Sequence, residues 1–459
     1  MTLEGHFNYK RLFLFTLPTM IQLIVISLYT VIDGLFVSNV CGNSAFSSLN
    51  FAYPIIGLLG VIGFMFGSGG GALVAKYFGE GNFKKGNQVF SFLFYIMIII
   101  GIIFAVIGYF TMNQFLKLLG ATDTIIDNAT TYGKIMILGL PFLMSMYFYQ
   151  TFMIVAGKPT LSFIFSICSG LVNVLLDFLL IYVFKFGISG AAIATVASES
   201  LGLFLPTIYL LSKFNKTDLH FTSFIFDKID FIKALTNGLS EMVTNLAVSI
   251  IAIIFNTQLL KYFGDFGVAA YGTIQYVGFV FTGVYYGYAC SVSQLISYNY
   301  GADNKKELKS LFNKSIIMYI ILQLILATTT ILLSKVLAKA FSNNDLELEN
   351  LTAKALMLYA TSYYLSGFNQ FSSALFTSYN NGLISGLLAL LRTFVFQLLC
   401  IFITPLILGS DYIWLSVLFS ETLSIIVAII FIIKYGKKYA YLLSYKEIEE
   451  LELKKASLK

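Results

Sequence analysis

Charge is what this 459-residue chain has least of: Asp, Glu, Lys and Arg together make up 11% of it, against about 25% in a soluble globular protein. A water-facing surface for a chain this long cannot be assembled from so few charges, which excludes soluble enzymes, nucleic-acid binders and disordered chains. Histidine occurs only as His6 and His220, neither in an apolar run, so a histidine-based intramembrane proton relay or zinc site is excluded. The four cysteines, Cys41, Cys168, Cys290 and Cys400, stand alone without metal-ligand spacing, and neither a disulfide nor a metal cluster is expected. Arginine is reduced to Arg11 and Arg392 beside 27 lysines. Enzyme motifs are missing too. The glycine run from Gly67 to Gly71 is not followed by the Gly-Lys-Ser/Thr of a phosphate loop and reads as close helix packing; no catalysis and no cofactor are expected.

What is present is apolar sequence, 58% of the chain, with a mean hydropathy of +0.83. Polar punctuation divides it into twelve runs, each about the 20 residues that an apolar helix needs to cross a bilayer: 12–38, 46–75, 88–112, 133–156, 161–184, 188–212, 231–260, 267–298, 313–335, 354–379, 383–408 and 412–434. The runs are continuous, without the alternation of a transmembrane β-strand, so the fold class is an all-α polytopic membrane protein. The first run is too long for a cleaved signal peptide and lacks a small-residue cleavage site. Placing both termini on one side gathers 21 of the 29 basic residues there and leaves 7 opposite, with Arg392 inside a span. This asymmetry places both termini in the cytoplasm and accounts for the formal net charge of +6 without a nucleic-acid partner. The lysine-rich tail reads as a solvated anchor against anionic lipid.

An internal repeat runs at one constant offset. Gly79, Asn82 and Lys84 return as Gly301, Asn304 and Lys306; Gly187 returns as Gly409; Ser198 and Glu199 return as Ser420 and Glu421. Each copy holds six spans, an even number, so both enter the membrane with the same orientation and an axis along the membrane normal relates them. The expected organisation is an N-lobe (1–211), a cytoplasmic linker (212–230), a C-lobe (231–435) and a cytoplasmic tail (436–459). Two such lobes leave a cleft suited to alternating access.

Five acids and one base fall inside the spans, where an ionisable residue is a functional hypothesis by default. Asp33 lies in the outer half of the first span. Asn173 and Asp177, four residues apart, share a face of the fifth helix, and Thr195 of the sixth is at comparable depth. Carboxylates and neutral oxygens at one level suit a proton or a small hard cation such as Na⁺; a structural hydrogen-bond cluster is the alternative. At the equivalent positions of the second copy stand Phe255, Val395, Leu399 and Val417, so any ion site belongs to the first lobe. Glu199 and Glu421 recur in both copies, which suits packing or gating as much as binding. Glu241 is near the start of the seventh helix and reads equally as an interfacial residue. Arg392 is expected to pair with Glu421, with gating or contact to an anionic group as the alternative. Pro18 removes a helical hydrogen bond and bends the first helix, either as a fixed kink or as a moving one.

Together, the six-plus-six repeat, Asp33, the Asn-Val-Leu-Leu-Asp run of 173–177, Thr195 and the Gly79–Asn82 turn resemble the multidrug and toxic compound extrusion (MATE) family over residues 10–435. The resemblance implies a V-shaped, two-lobed monomer in the bacterial inner membrane. It implies export of small organic compounds, often cations, in exchange for H⁺ or Na⁺. Asp33 and Asp177 would be the titrating or cation-binding carboxylates, with Asn173 and Thr195 as supporting ligands and no metal beyond Na⁺ at that site. Where some members have an acid on the tenth helix this chain has Asn369 and Gln370, while Glu241 falls near a family acid on the seventh. A lipid or lipid-linked oligosaccharide flippase of similar architecture is the alternative; it would favour several basic residues in the cavity, and only Arg392 is available.

Overall fold

The computed structural model describes residues 3–457 apart from 42, 123, 124, 343 and 344, and side chains apart from those of 28–32, 34, 35, 38, 39, 43, 44, 46 and 456. The expected tail, 436–459, therefore runs two residues past the described ones. Every described regular element is helical.

Nine of the described helices are each long and apolar enough to cross a membrane. One of them, Lys228–Gly301, has 74 residues, which as a straight rod would exceed three times the hydrocarbon thickness, roughly 30 Å. It breaks at Gly264, whose φ of 60° and ψ of −151° belong to a region open only to glycine. The chain folds back there: the rings of Phe255 and Tyr271 lie 4.8 Å apart, where sixteen residues of straight helix would separate them by about 24 Å. This helix supplies the seventh and eighth spans. Ile126–Leu138 and Leu140–Val155, bent by 53°, form the fourth, and Leu346–Ala360 with Tyr363–Ser378 form the tenth. The others are Tyr9–Phe36, Asn43–Gly79, Phe83–Leu118, Pro159–Asp177, Gly187–Leu211, Lys305–Phe341, Gly382–Leu408 and Ser410–Gly436. Twelve spans result, as the sequence predicts.

The third and ninth helices start before their apolar segments because polar N-caps carry them past the hydrocarbon. The third span, expected from residue 88, starts at Phe83 behind Asn82, whose side chain accepts from the Lys85 N–H; Asn304, its counterpart in the repeat, accepts from the Glu307 N–H in the same way.

Each lobe has its own core, one around Phe66, Phe90, Phe148 and Phe152 of the first six spans and another around Tyr288, Tyr319 and Phe371 of the last six, joined by Tyr441 of the tail. The lobes meet along spans 1, 2, 7 and 8, and the contact is reciprocal. A Cβ on Gly79 would lie 1.9 Å from the Tyr298 carbonyl oxygen, and one on Gly301 would lie 2.0 Å from that of Lys76. Gly79 and Gly301 are repeat partners, as are positions 76 and 298, so the interface is self-complementary about the pseudo-twofold axis. Towards mid-membrane the lobes touch through Phe64 and Tyr286, also repeat partners, with ring centroids 6.2 Å apart, and through Gly283 against Leu23 and Ile24. Past that level, among the described residues, a Cβ on Gly57 would meet only Tyr53 of its own lobe, and one on Gly272 nothing within 4 Å. The lobes are closed at the end where both termini lie.

Segments outside the membrane reinforce the closed end. The chain entering the seventh span crosses the first lobe: Lys85 Nζ donates to Asp227 Oδ2 at 2.7 Å and pairs with buried Asp230 at 2.9 Å, and Tyr77 Oη donates to Asp230 at 2.8 Å. The Lys85 hydrogen bond holds the Asp227 carboxyl below the ordinary carboxylate range. The N-terminal segment crosses in the opposite direction, burying Leu3 and Phe7 in the second lobe's core. There His6 Nδ1 meets Glu307 Oε2 at 2.7 Å and the Phe7 N–H donates to Glu307 Oε1 at 2.9 Å. The tail, expected to anchor against lipid, packs in part on the protein itself. Its helix, Tyr445–Ser457, docks on the turn between the eighth and ninth spans through Lys455–Asp303 at 2.6 Å and Lys306–Glu452 at 3.2 Å.

Candidate functional site

The three described π-helical turns each lie beside an intramembrane charge. Val37–Cys41 follows Asp33 by one turn, Phe178–Val183 begins right after Asp177, and Leu391–Val395 contains Arg392. Such turns disturb the regular ladder and recur where a helix is adapted to function.

Asp177 is fully buried and Asn173 is 1% exposed. Neither Asp177 oxygen, nor Asp33 Oδ1, nor Asn173 Oδ1 receives a hydrogen bond from a described residue. The Asp33 and Asp177 carboxyls instead face each other within hydrogen-bonding reach. Asp33 and Asp177 thus form one site, with Asn173 one helical turn before Asp177. Thr195 directs its hydroxyl to the Ala191 carbonyl at 3.0 Å, which leaves its oxygen lone pairs without a described donor. Glu199, one turn after Thr195, is buried with Oε2 unpartnered and lies within electrostatic range of Asp33. Glu199 thus lies within electrostatic range of the acid site, a location the repeat did not disclose.

Sequence reasoning also missed Tyr53 and Tyr132. Both lie within electrostatic range of Asp33 and Glu199, and Tyr132 of Asp177 as well. Among 29 tyrosines nothing in the spacing marks these two. Tyr53 also hydrogen-bonds Tyr147, whose ring stacks on Phe64 at 3.9 Å. Phe64 in turn meets Tyr286, which hydrogen-bonds Glu241. An aromatic wall thus leads from the acid site to the lobe interface. Glu241 stands there, beside Tyr286 at the lobe interface, in keeping with the functional one of the two readings open for it.

In the second lobe the expected Arg392–Glu421 ion pair does not form. Arg392 Nη2 donates to Gln370 Oε1 at 2.7 Å and Nη1 to the Ser366 carbonyl at 3.4 Å. Glu421 Oε2 accepts from Asn369 Nδ2 at 2.6 Å. The π turn directs the guanidinium to the tenth span, within electrostatic range of both Glu241 and Glu421 but in contact with neither. Asn369 and Gln370, the residues at the place of a family acid, are the groups that engage these two charges. Pro18 lies inside the first helix, near Thr19, whose hydroxyl accepts from Ser291 at 2.9 Å across the lobe interface.

A family profile described as MatE matches residues 18–179 and 241–403, and its two segments are offset much as the repeat is. The chain is 24% identical over 428 residues to the multidrug export protein MepA of Staphylococcus saprophyticus, covering 92% of this chain and 93% of that protein. It is 26% identical over 369 residues to MepA of Staphylococcus haemolyticus, covering 78% and 79%. In fold it is similar to a structure described as MATE in complex with MaL6, with a TM-score of 0.90 at 20% identity over 95% of this chain and 98% of that one. It is also similar to one described as the outward-facing conformation of a multidrug resistance MATE family transporter, with a TM-score of 0.89 over 95% and 97%.

Proposed function

The chain belongs to the MatE family of multidrug exporters, and from that premise we propose that it is a secondary active antiporter expelling organic, often cationic, compounds in exchange for H⁺ or Na⁺. The observation that carries this reading is the donor-free pair of Asp33 and Asp177 in the first lobe. Two ionised carboxylates about 4 Å apart repel by roughly 4 kcal/mol even at an effective dielectric constant near 20, and no described cation offsets them. A proton or Na⁺ between them removes that repulsion, so the pair binds the coupling ion, with Asn173 and Thr195 adding neutral oxygens.

The lobes part towards the outer face, with both termini in the cytoplasm of a bacterial cell, and this opening exposes the cleft to the outside. Binding of the ion there favours the reverse rocking of the lobes, which exposes the cleft to the cytoplasm and admits the organic cation. The monomer is sufficient, because each lobe supplies one half of the cleft. The aromatic wall of Tyr147, Phe64 and Tyr286, next to Glu241, suits a flat cation through cation–π contact and charge.

Ethidium efflux from vesicles containing the purified protein tests the reading, with a pH or a Na⁺ gradient imposed separately. Efflux is expected to follow one gradient and to fall at least tenfold in Asp177→Asn. Wild-type efflux in that variant overturns the assignment.

A further inference from the structure

The acid pair is not the end of the polar groups inside the first lobe. The fifth span buries Ser162, Ser166, Ser169, Asn173 and Asp177, at spacings of four, three, four and four, which align them on one helical face. This stripe runs from the end where the termini lie to the acid pair, through an interior otherwise filled by phenylalanine and methionine. Two glutamines oppose it. Gln22 of the first span is 1% exposed and donates from Nε2 to Ser166 Oγ at 2.7 Å. Gln150 of the fourth is 8% exposed, and its backbone carbonyl accepts from Ser162 at 3.5 Å.

Many hydrogen-bonding positions along the stripe receive no partner among the described residues: Gln22 Oε1, Gln150 Nε2, Ser169 Oγ and Asn173 Oδ1, while the Asp177 oxygens face only the Asp33 carboxyl. Buried polar groups are almost always paired with protein or with ordered water. Here they line up in a file. A cavity of about 10 Å³ lies between Gln150, Ser162, Ser166 and Ser169, room for a single water with several polar neighbours. One turn before Ser162 the helix begins at Lys158 and Pro159, which line a larger cavity of about 370 Å³.

We propose that this stripe holds a single file of buried water that links Asp177 to the cytoplasmic side through the interior of the first lobe, apart from the cleft between the lobes. The proposal rests on the reading of Asp33 and Asp177 as the coupling site and assigns that site its inner route. A proton leaving Asp177 passes to the nearest water, which gives one of its own protons to the next. The last water gives a proton to solvent, and Asp177 is left as the carboxylate. A file one water wide carries protons by such exchange and is too narrow for a hydrated Na⁺, so this route serves H⁺. Ion and substrate then take separate inner routes, and the file carries protons only once the lobes have rocked, so that the acid pair never faces both sides at once.

Hydroxyl-radical footprinting in H₂¹⁸O, with mass spectrometry of the full-length protein in nanodiscs, tests the water file directly. Met153 is fully buried and lines the small cavity together with Met146, which is 6% exposed, while Met144 is as buried as Met153 and does not line it. Oxidation of Met146 and Met153 at least tenfold faster than Met144 is expected, and equal protection of all three overturns the proposal. The double variant Ser169→Leu/Gln150→Leu should abolish that labelling and slow pH-driven ethidium efflux about tenfold, with ethidium binding unchanged. If binding is unchanged and efflux remains at the wild-type rate after labelling is lost, the water is structural and the route is wrong. Asp177→Asn should abolish coupling yet keep the methionine labelling. Failure of the coupling-site reading thus shows in efflux from that variant, whereas failure of the file shows in the footprint.

Discussion

Lys85 and Glu307 occupy equivalent positions in the two repeats, and each grips the segment that leads into the opposite lobe's first helix. The polarity is inverted: a lysine holds Asp227 and Asp230 on one side, and a glutamate holds His6 and the Phe7 N–H on the other. Crossed straps at one end of a two-lobed molecule resist separation of the lobes at that end. The inversion also prevents each strap from binding the other's partner, since lysine would meet histidine and glutamate would meet aspartate.

Lys85→Glu leaves the nearly buried Asp230 facing a like charge. Loss of a partner to a buried charge costs about 3 kcal/mol or more, and Asp227, being more exposed, adds little. Thermal unfolding is expected several degrees lower, with partial recovery on adding Asp227→Lys. The pH dependence follows from the depressed Asp227 carboxyl. Its contribution is present in full above the ordinary carboxylate pKa and is lost only as pH falls through the lower folded value. Removing Lys85 should therefore cost the same at pH 6 and pH 8.

Gly79 and Gly301 bring spans 2 and 8 together so closely that a Cβ on either would overlap a backbone carbonyl of the other lobe. Backbone cannot yield as a flexible side chain can. Gly79→Ala/Gly301→Ala is expected to wedge the closed end apart and to cut efflux about tenfold, while the fold persists because each lobe keeps its own core. Spin-label distances between the cytoplasmic ends of spans 2 and 8 would read the change as a shift to longer separations; an unaltered distance distribution would count against this role for the glycines.

The parts legible in the sequence are those with a strong periodic or compositional signal. Twelve apolar runs correspond to twelve spans, and polar matches at one offset disclose the repeat because glycine, asparagine and glutamate are rare enough in such a chain to stand out. Asp33 and Asp177 come together because both lie at the outer ends of their helices, a depth that can be counted along the chain. Contacts that depend on helix rotation are not legible. Antiparallel adjacency alone would set Arg392 on Glu421, but the π turn rotates it towards Gln370. Glu199 recurs as Glu421, which conceals that only the first of them has an acid site beside it. The straps are invisible in the sequence because they are made of short, irregular segments whose partners lie about 140 to 300 residues away.

Gly264 turns the seventh span into the eighth with a φ of 60° and ψ of −151°, a conformation that costs a residue with a side chain about 1–3 kcal/mol. Space is not the constraint, since a Cβ there would meet nothing within 4 Å. Gly264→Ala should lower thermal stability through backbone strain alone, and Gly264→Asn should lose as much, since a ψ of −151° lies outside the left-handed well that asparagine favours. Equal stability of all three forms would mean that the turn relaxes to another conformation.

Arg392 makes its two contacts with different nitrogens of one planar fork, Nη2 to Gln370 and Nη1 to the Ser366 carbonyl. Lysine has no fork and reaches only one of the two. Arg392→Lys keeps the charge that Glu241 and Glu421 feel while giving up a hydrogen bond to a charged donor, a loss of about 1.5–3 kcal/mol. Arg392→Gln gives up the charge as well, leaving two buried carboxyls without their nearest cation. If Arg392 serves only to brace the eleventh span against the tenth, the two variants should lose stability alike and keep the same efflux per folded molecule. If its charge sets the electrostatics around Glu241, Arg392→Lys retains most of the efflux and Arg392→Gln loses about tenfold, with ethidium affinity changing in the latter alone. The second outcome is expected, because Arg392 lies within electrostatic range of both carboxyls and every other basic residue falls in a loop, a tail or the end of an apolar run. Paired measurements of unfolding temperature and efflux on the same preparations separate the two.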